Sequence, residues 1–100
     1  MNVRGTIYPK NWKERTLVDS EADNEFYAVE NELVNIFNGK IRLFGGTPRN
    51  YNFALKDDVS KDEAIRIILQ AKESNNFPFS IAGFYVTDGQ EPEDTIRYWF

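Results

Sequence analysis

Apolar positions along the chain alternate between short strand-like runs and longer helical stripes. Residues 3–8, 40–44 and 50–55 are β-prone runs bounded by turn-forming residues. Residues 81–86 form a denser apolar run, typical of a strand that is buried on both faces. Residues 95–100 alternate along the chain and predict a last strand. The pattern therefore predicts five strands.

The clearest helix signal covers residues 60–74. Ser60 and Glu63 have the spacing of a capping box, in which the serine hydroxyl accepts a hydrogen bond from the free N3 amide. Asn75 and Asn76 tolerate the left-handed conformation and are predicted to end the helix. The side chains predicted to form its buried stripe are Ala64, Ile67, Ile68 and Ala71.

Residues 26–37 allow two interpretations. As part of a helix capped by Ser20 or Asp23 and closed by a C′ glycine at Gly39, they carry one apolar stripe: Phe26, Val29, Leu33, Ile36 and Phe37. As strands, they would lead into Asn38-Gly39, a strong two-residue hairpin signal. The long stripe favours the helix, and the hairpin is the alternative.

The resulting order is strand, helix, strand, strand, helix, strand, strand. This order predicts an α+β fold: a two-layer, ferredoxin-like βαββαβ sandwich with an added C-terminal strand. If residues 26–37 were strands, a curved antiparallel sheet packed by one helix would replace it. Because 100 residues with 41% hydrophobic content suffice for one core but not two, residues 1–100 are predicted to form a single domain.

The sequence contains neither histidine nor cysteine. Most catalytic triads, transition-metal sites and redox pairs are thereby excluded. We expect a non-enzymatic protein with no cofactor and no bound metal, although Asp57 and Asp58 leave a metal-dependent hydrolase as a third alternative. A membrane span of about 18 apolar residues and a signal-peptide core are both missing from the sequence, so we expect a cytoplasmic location.

Charge is distributed in blocks, within a net charge of −4. Residues 19–32 and 88–94 carry only acidic charges, whereas residues 40–56 carry only basic ones. Acidic blocks can steer a protein toward a basic surface, and exposed tryptophan is a frequent interface anchor. The residues predicted to bind a protein partner are Glu25, Glu30, Glu32, Asp88, Glu91, Glu93, Asp94 and Trp99.

These features together predict a protein-binding module that occludes a partner's surface. The partner would have a basic surface, such as that of a nucleic-acid-binding protein. In its small size, acidity and aromatic content the chain is similar to phage- or mobile-element-encoded inhibitors of host nucleic-acid machinery, including anti-CRISPR proteins. That similarity concerns broad character.

The basic segment also carries regularly spaced aromatic residues. The run Arg49-Asn50-Tyr51-Asn52-Phe53-Ala54 resembles the central-strand consensus of the RNA-recognition motif family, and residues 7–12 resemble its first-strand consensus. The resemblance implies an RNA-binding module that stacks bases on sheet aromatics. The residues that it implies for RNA binding are Tyr8, Arg49, Tyr51 and Phe53.

The last strand has two predicted roles. Its alternation indicates that Ile96, Tyr98 and Phe100 form an inward face while Arg97 lies on the other side. A strand at the end of the chain can also form an exposed sheet edge, which is open to association. The core interpretation is favoured for the inward face, and Trp99 is kept as a binding anchor.

Overall fold

The chain folds as one five-stranded sheet with helices packed on it. The computed structural model describes residues 3–47, 49–89 and 94–100. The sheet is antiparallel, with strand order β2-β3-β1-β4-β5, and the α+β class is confirmed. In chain order the elements are β1 (Arg4–Pro9), α1 (Asp19–Ile36), β2 (Ile41–Thr47), β3 (Asn50–Leu55), α2 (Lys61–Glu73), β4 (Ile81–Thr87) and β5 (Thr95–Trp99).

The ambiguous segment is the helix α1, so the hairpin interpretation of residues 26–37 is wrong. Val29, Leu33 and Phe37 are buried, and Phe26 and Ile36 pack against the same core. The burial of this stripe against the sheet stabilises α1, because most helical stability in proteins comes from the packing of an apolar face.

The dipeptide that signalled a hairpin ends α1 instead. Asn38 and Gly39 have positive φ angles of 53° and 79°. The Gly39 amide donates to the Val34 carbonyl at 2.8 Å, and the Asn38 amide donates to the Asn35 carbonyl at 3.3 Å. This is a Schellman motif, with Asn38 rather than the predicted Gly39 at C′.

The start of α1 differs from the prediction. The helix begins at Asp19, and its N-cap is Val18, which makes no side-chain capping bond. Ser20 and Asp23 therefore lie inside the helix, and their prediction as caps is wrong. Asp19 and Glu21 lie in the first turn, where their negative charge is favourable to the helix dipole.

Helix α2 follows its prediction closely. The Glu63 amide donates to the Ser60 hydroxyl at 3.1 Å, which confirms the N-cap. Ala64, Ile68 and Ala71 are buried as predicted, but Ile65 is also buried whereas the predicted Ile67 is only half-buried. The helix ends at Glu73, with Ser74 as its C-cap, and Asn75 follows with a left-handed φ of 55°, as the asparagine pair predicts.

Both helices pack on the same face of the sheet. The core joins Leu33 of α1 and Ile68 of α2 to Ile7, Phe53 and Phe84 of the three inner strands. Strand β1 lies in the middle, because it pairs with β3 on one side and β4 on the other. Neither of these two helices covers the opposite face of the sheet.

The edge strand β5 lies only partly under the helices. Tyr98 is opposite Phe84, and their rings stack with centroids 5.0 Å apart. Ile96 is 37% exposed and Phe100 is 56% exposed, so of the predicted inward face only Tyr98, which is half-buried, packs against the core. The other two positions extend past the apolar surface that the helices supply.

Candidate binding surface on the open face of the sheet

The face of the sheet opposite helices α1 and α2 is formed by alternate residues of all five strands. Thr6 lies opposite both Asn52 and Tyr85, and Tyr85 lies opposite Arg97. The Thr6 hydroxyl donates to the Asn52 side-chain oxygen at 2.7 Å, which ties β1 to β3 on this side. The open face comprises Arg4, Thr6, Tyr8, Arg42, Phe44, Asn52, Ala54, Tyr85, Thr87, Thr95, Arg97 and Trp99.

Four aromatic side chains meet at one end of the open face, and we call them the aromatic cluster: Tyr8, Trp12, Tyr85 and Trp99. The Tyr8 ring lies 4.9 Å from Trp12, 5.3 Å from Trp99 and 6.5 Å from Tyr85, measured between centroids. Trp12 comes from the β1–α1 connection and stacks on Trp99 at 6.5 Å. Trp99 remains 57% exposed, so the cluster presents an indole to an incoming ligand.

Gly83 makes room for that indole. Trp99 lies directly opposite Gly83 in the β4–β5 pairing. A Cβ atom at Gly83 would overlap the Trp99 ring and the Tyr98 carbonyl. The glycine therefore lets the indole lie flat across β4 beside Tyr8.

Arginines accompany the aromatic rings on this face. Arg4 and Arg97 line a shallow depression of about 690 Å³ together with Tyr85 and the exposed Phe44. Arg42 lies on the same face, opposite Ala54. Among the strand residues of this face that the structure describes, none is acidic. The open face is thus basic and aromatic in a chain whose net charge is −4.

Tyr8 stays neutral at ordinary pH. Burial raises the pKa of its phenol, the neighbouring Tyr85 raises that pKa further, and Arg97 opposes both effects. The hydroxyl therefore keeps its proton and its capacity to donate a hydrogen bond.

The structure separates the residues predicted for RNA binding. Tyr8 lies on the open face, and Arg49 is exposed at the β2–β3 turn. Tyr51 is only 2% exposed and Phe53 is fully buried, because both rings point to the helix side. They cannot stack a base in this fold, so their implied role is corrected. Asn52 takes the open side of β3.

The acidic residues predicted to bind a partner do not form one surface. Glu25 accepts hydrogen bonds from Tyr51 and from Arg15, the latter at 2.6 Å, and its side chain is largely buried. At 100° per residue, Glu25 and Glu32 lie on one flank of α1 and Glu30 on the other. Glu25 therefore belongs to the interior of the protein, and Glu30 and Glu32 lie on different flanks of the helix.

The second acidic block lies at the β4–β5 connection. Lys61 donates to the Asp94 backbone carbonyl at 3.1 Å and lies 3.7 Å from the Asp88 carboxylate. Glu91 and Glu93 lie outside the residues that the structure describes. Of the predicted protein-binding residues, Trp99 is the one that the structure brings into the aromatic cluster.

Sequence reasoning missed most of the open face. Trp12, Tyr85, Arg4 and Arg97 were not singled out as site residues, although Tyr85 alternates with the buried Phe84 and Val86 in β4. The alternation could not be recognised in the sequence, because residues 81–86 are apolar at almost every position. A usable signal was Asn50-x-Asn52 in β3, since the amides mark the outward side and thereby assign the intervening rings to the core.

Two further observations concern other site types. Within residues 3–47, 49–89 and 94–100, no three acidic side chains lie close enough together to hold a metal ion. Asp58 pairs instead with Lys40 at 2.6 Å, which lowers the pKa of its carboxyl. No helix in the described part of the chain is both long and apolar enough to cross a membrane.

Comparison with known proteins adds no relative: neither a protein-family model, nor a curated protein, nor a solved structure matches this chain.

Proposed function

We propose that this chain is a non-enzymatic binding protein whose open face binds single-stranded nucleic acid. The observation that carries the proposal is the composition of that face: exposed aromatic rings interleaved with Arg4, Arg42 and Arg97, and no carboxylate among its described strand residues. Bases stack on aromatic side chains, and arginines bind the phosphates that connect the bases.

The strand order supports a ferredoxin-like assignment for the fold. Without β5, the sheet reads β2-β3-β1-β4 with both helices on one face, and the element order is βαββαβ. We propose that β5 is an added edge strand on this unit. It enlarges the open face with Arg97 and Trp99, so the ligand surface extends beyond the four strands of the simple unit.

The test is a titration of labelled single-stranded RNA and DNA pools at low and moderate salt. Trp99→Ala should weaken binding by about 1–3 kcal/mol through lost base stacking. Arg97→Ala should reduce the dependence of the affinity on salt by about one released counterion. Circular dichroism and a urea titration should show that both variants keep the fold, because both side chains are exposed.

Matched controls come from the helix side of the molecule. Tyr27 is an aromatic residue on α1 that is 61% exposed, and Arg66 is an exposed arginine on α2. Tyr27→Ala and Arg66→Ala should leave the affinity unchanged. The proposal would be overturned if no strand binds at low salt, or if the controls weaken binding as much as the open-face variants do.

A second candidate function is the binding of a basic protein partner, with the acidic surface now located on one flank of α1. One flank of α1 carries Asp19, Asp23 and Glu30 beside the exposed Tyr27 and Val34, all within one stripe of the helix. Acidic groups around exposed apolar side chains suit a basic protein surface. We propose this stripe as the contact by which the chain would occlude such a partner, as an inhibitor of the anti-CRISPR-like class does.

The two candidates are separated by a pull-down from cells with and without nuclease. A partner that survives nuclease and binds more slowly to Asp23→Lys, Glu30→Lys would support the protein interface, because rim charges act mainly on association. A partner lost on nuclease treatment, with binding insensitive to those changes, would contradict it. Glu25→Lys is unsuitable as a probe, because Glu25 bonds Arg15 and Tyr51 inside the protein.

A further inference from the structure

A cavity of about 570 Å³ adjoins the aromatic cluster at the end of the sheet. It lies between the β1–α1 connection, the C-terminal end of α2 and the start of β4. Its volume is in the range that holds a nucleotide-sized ligand. The residues of its wall that matter here are Lys10, Trp12, Lys13, Glu14, Lys72 and Phe100.

The wall of this cavity is basic and aromatic. Its lining residues include three lysines and one acidic residue, Glu14, although the chain as a whole is acidic. The Lys72 ammonium lies 4.3 Å from the centroid of the Phe100 ring, and the Lys13 ammonium lies 5.5 Å from that of Trp12. A lysine ammonium thus lies over the face of each of these two rings. An anion attached to a flat, aromatic group has the matching chemistry.

The side chain of Trp12 connects the cavity with the open face. Trp12 lines the cavity and also stacks on Trp99 and contacts Tyr8 in the aromatic cluster. Phe100 also lines the cavity, and it follows Trp99 in the chain. A strand whose bases stack along the cluster would therefore reach the cavity with its final nucleotide.

We propose that this cavity binds the terminal phosphomonoester nucleotide of a single strand whose other bases lie on the open face. The proposal rests on the proposed nucleic-acid function and adds an end specificity to it. A phosphomonoester carries between one and two negative charges at neutral pH, whereas an internal phosphodiester carries one. Lysine ammonium groups act on phosphate as point charges, so the more highly charged end gains more from them.

The experiment compares short oligonucleotides of one sequence that differ only at their ends. One carries a 5′-phosphate, one a 3′-phosphate, and one has hydroxyls at both ends; these arms distinguish which end enters the cavity. One of the phosphorylated strands should bind at least about tenfold more tightly than the hydroxyl-ended strand, the gain expected of a charge-assisted contact. Lys10→Gln and Lys72→Gln should abolish that difference, because they should weaken the binding of the phosphorylated strand far more than that of the hydroxyl-ended strand.

Lys56→Gln is the matched control, because Lys56 is an exposed lysine that does not line the cavity. It should preserve the full difference between the strands. Trp99→Ala should lower all affinities by a similar factor, because it acts on the shared stacking surface. Each variant is checked for the folded state by circular dichroism.

The two proposals fail in different ways. If all three oligonucleotides bind equally, the end-binding cavity is overturned and the open-face function stands. The end-binding cavity is also overturned if Lys56→Gln removes the phosphate preference as fully as Lys72→Gln. If no oligonucleotide binds at low salt, the nucleic-acid function itself is overturned, and the end specificity is overturned with it.

Discussion

Tyr51 of β3 donates its phenolic hydroxyl to the carboxylate of Glu25 on α1. Glu25 also pairs with Arg15, so a tyrosine, an acid and an arginine join the sheet, the helix and the preceding connection. The ring of Tyr51 stacks on Phe79 with centroids 5.6 Å apart, and Arg15 lies over the Phe79 ring. The sequence predicted RNA as the ligand of Tyr51 and a protein as the partner of Glu25, but the two side chains bind each other.

Tyr51→Phe should lower the free energy of unfolding by about 1.5–3 kcal/mol, because the buried hydroxyl bonds a charged acceptor. Urea denaturation measures the change. Tyr27→Phe is the control and should have no measurable effect, because the Tyr27 side chain is exposed. Equal effects from the two substitutions would contradict a stabilising role for the Tyr51–Glu25 bond.

Stability should fall in alkaline solution. Burial raises the pKa of Tyr51, and its hydrogen bond to Glu25 and the charge of Glu25 raise it further. Because the pKa in the unfolded chain is about 10, this contribution is complete below that pH and is lost progressively as the pH rises above it. Unfolding free energies measured between about pH 8 and 11 should decline less steeply in Tyr51→Phe; parallel declines would refute the assignment.

Ser60→Ala should destabilise the protein by about 1 kcal/mol through loss of the helix cap. Ser20→Ala should change stability little, since Ser20 lies within α1 and not at its N-cap. The pair tests the two predicted caps against each other by chemical denaturation. A larger loss for Ser20→Ala would show that the caps are assigned to the wrong residues.

Gly83→Ala should displace the Trp99 indole, because the added methyl group overlaps that ring and the Tyr98 carbonyl. We expect a loss of stability of about 1–3 kcal/mol, as for other overpacked sites. A shift in tryptophan fluorescence should accompany it. Ala54→Ser, which adds one small atom to the same face, is the control and should leave the tryptophan emission unchanged. An unchanged emission spectrum in Gly83→Ala would contradict the packing of Trp99 against Gly83.

Local signals in the sequence were sufficient for the elements whose cause is local. The α2 helix is the best case, since the Ser60 cap, the apolar stripe and the terminal Asn75 each act within a few residues. The α+β class follows from the order of such elements. The dipeptide Asn38-Gly39 was ambiguous because positive φ angles serve a hairpin and a helix end equally well.

The candidate site was harder to predict, because strand alternation separates two faces without saying which one the helices cover. In β3 the sequence distinguishes one side, Tyr51, Phe53 and Leu55, from the other, Asn50, Asn52 and Ala54. The resemblance to an RNA-binding consensus assigned the two rings of the first side, Tyr51 and Phe53, to the ligand. The structure reverses that assignment. The aromatic rings are buried because the helices pack on their side.

The sequence by itself therefore determined the five strands, helix α2 with its cap, and the two sides of strand β3. Tertiary structure alone decided that both helices lie on one face, that Trp12 and Trp99 meet beside Tyr8, and that Glu25 is bonded inside. The physical reason is range: caps and periodicity depend on neighbouring residues, whereas a binding surface is made by strands paired across the sheet, such as Tyr8 with Gly83 and Gly83 with Trp99.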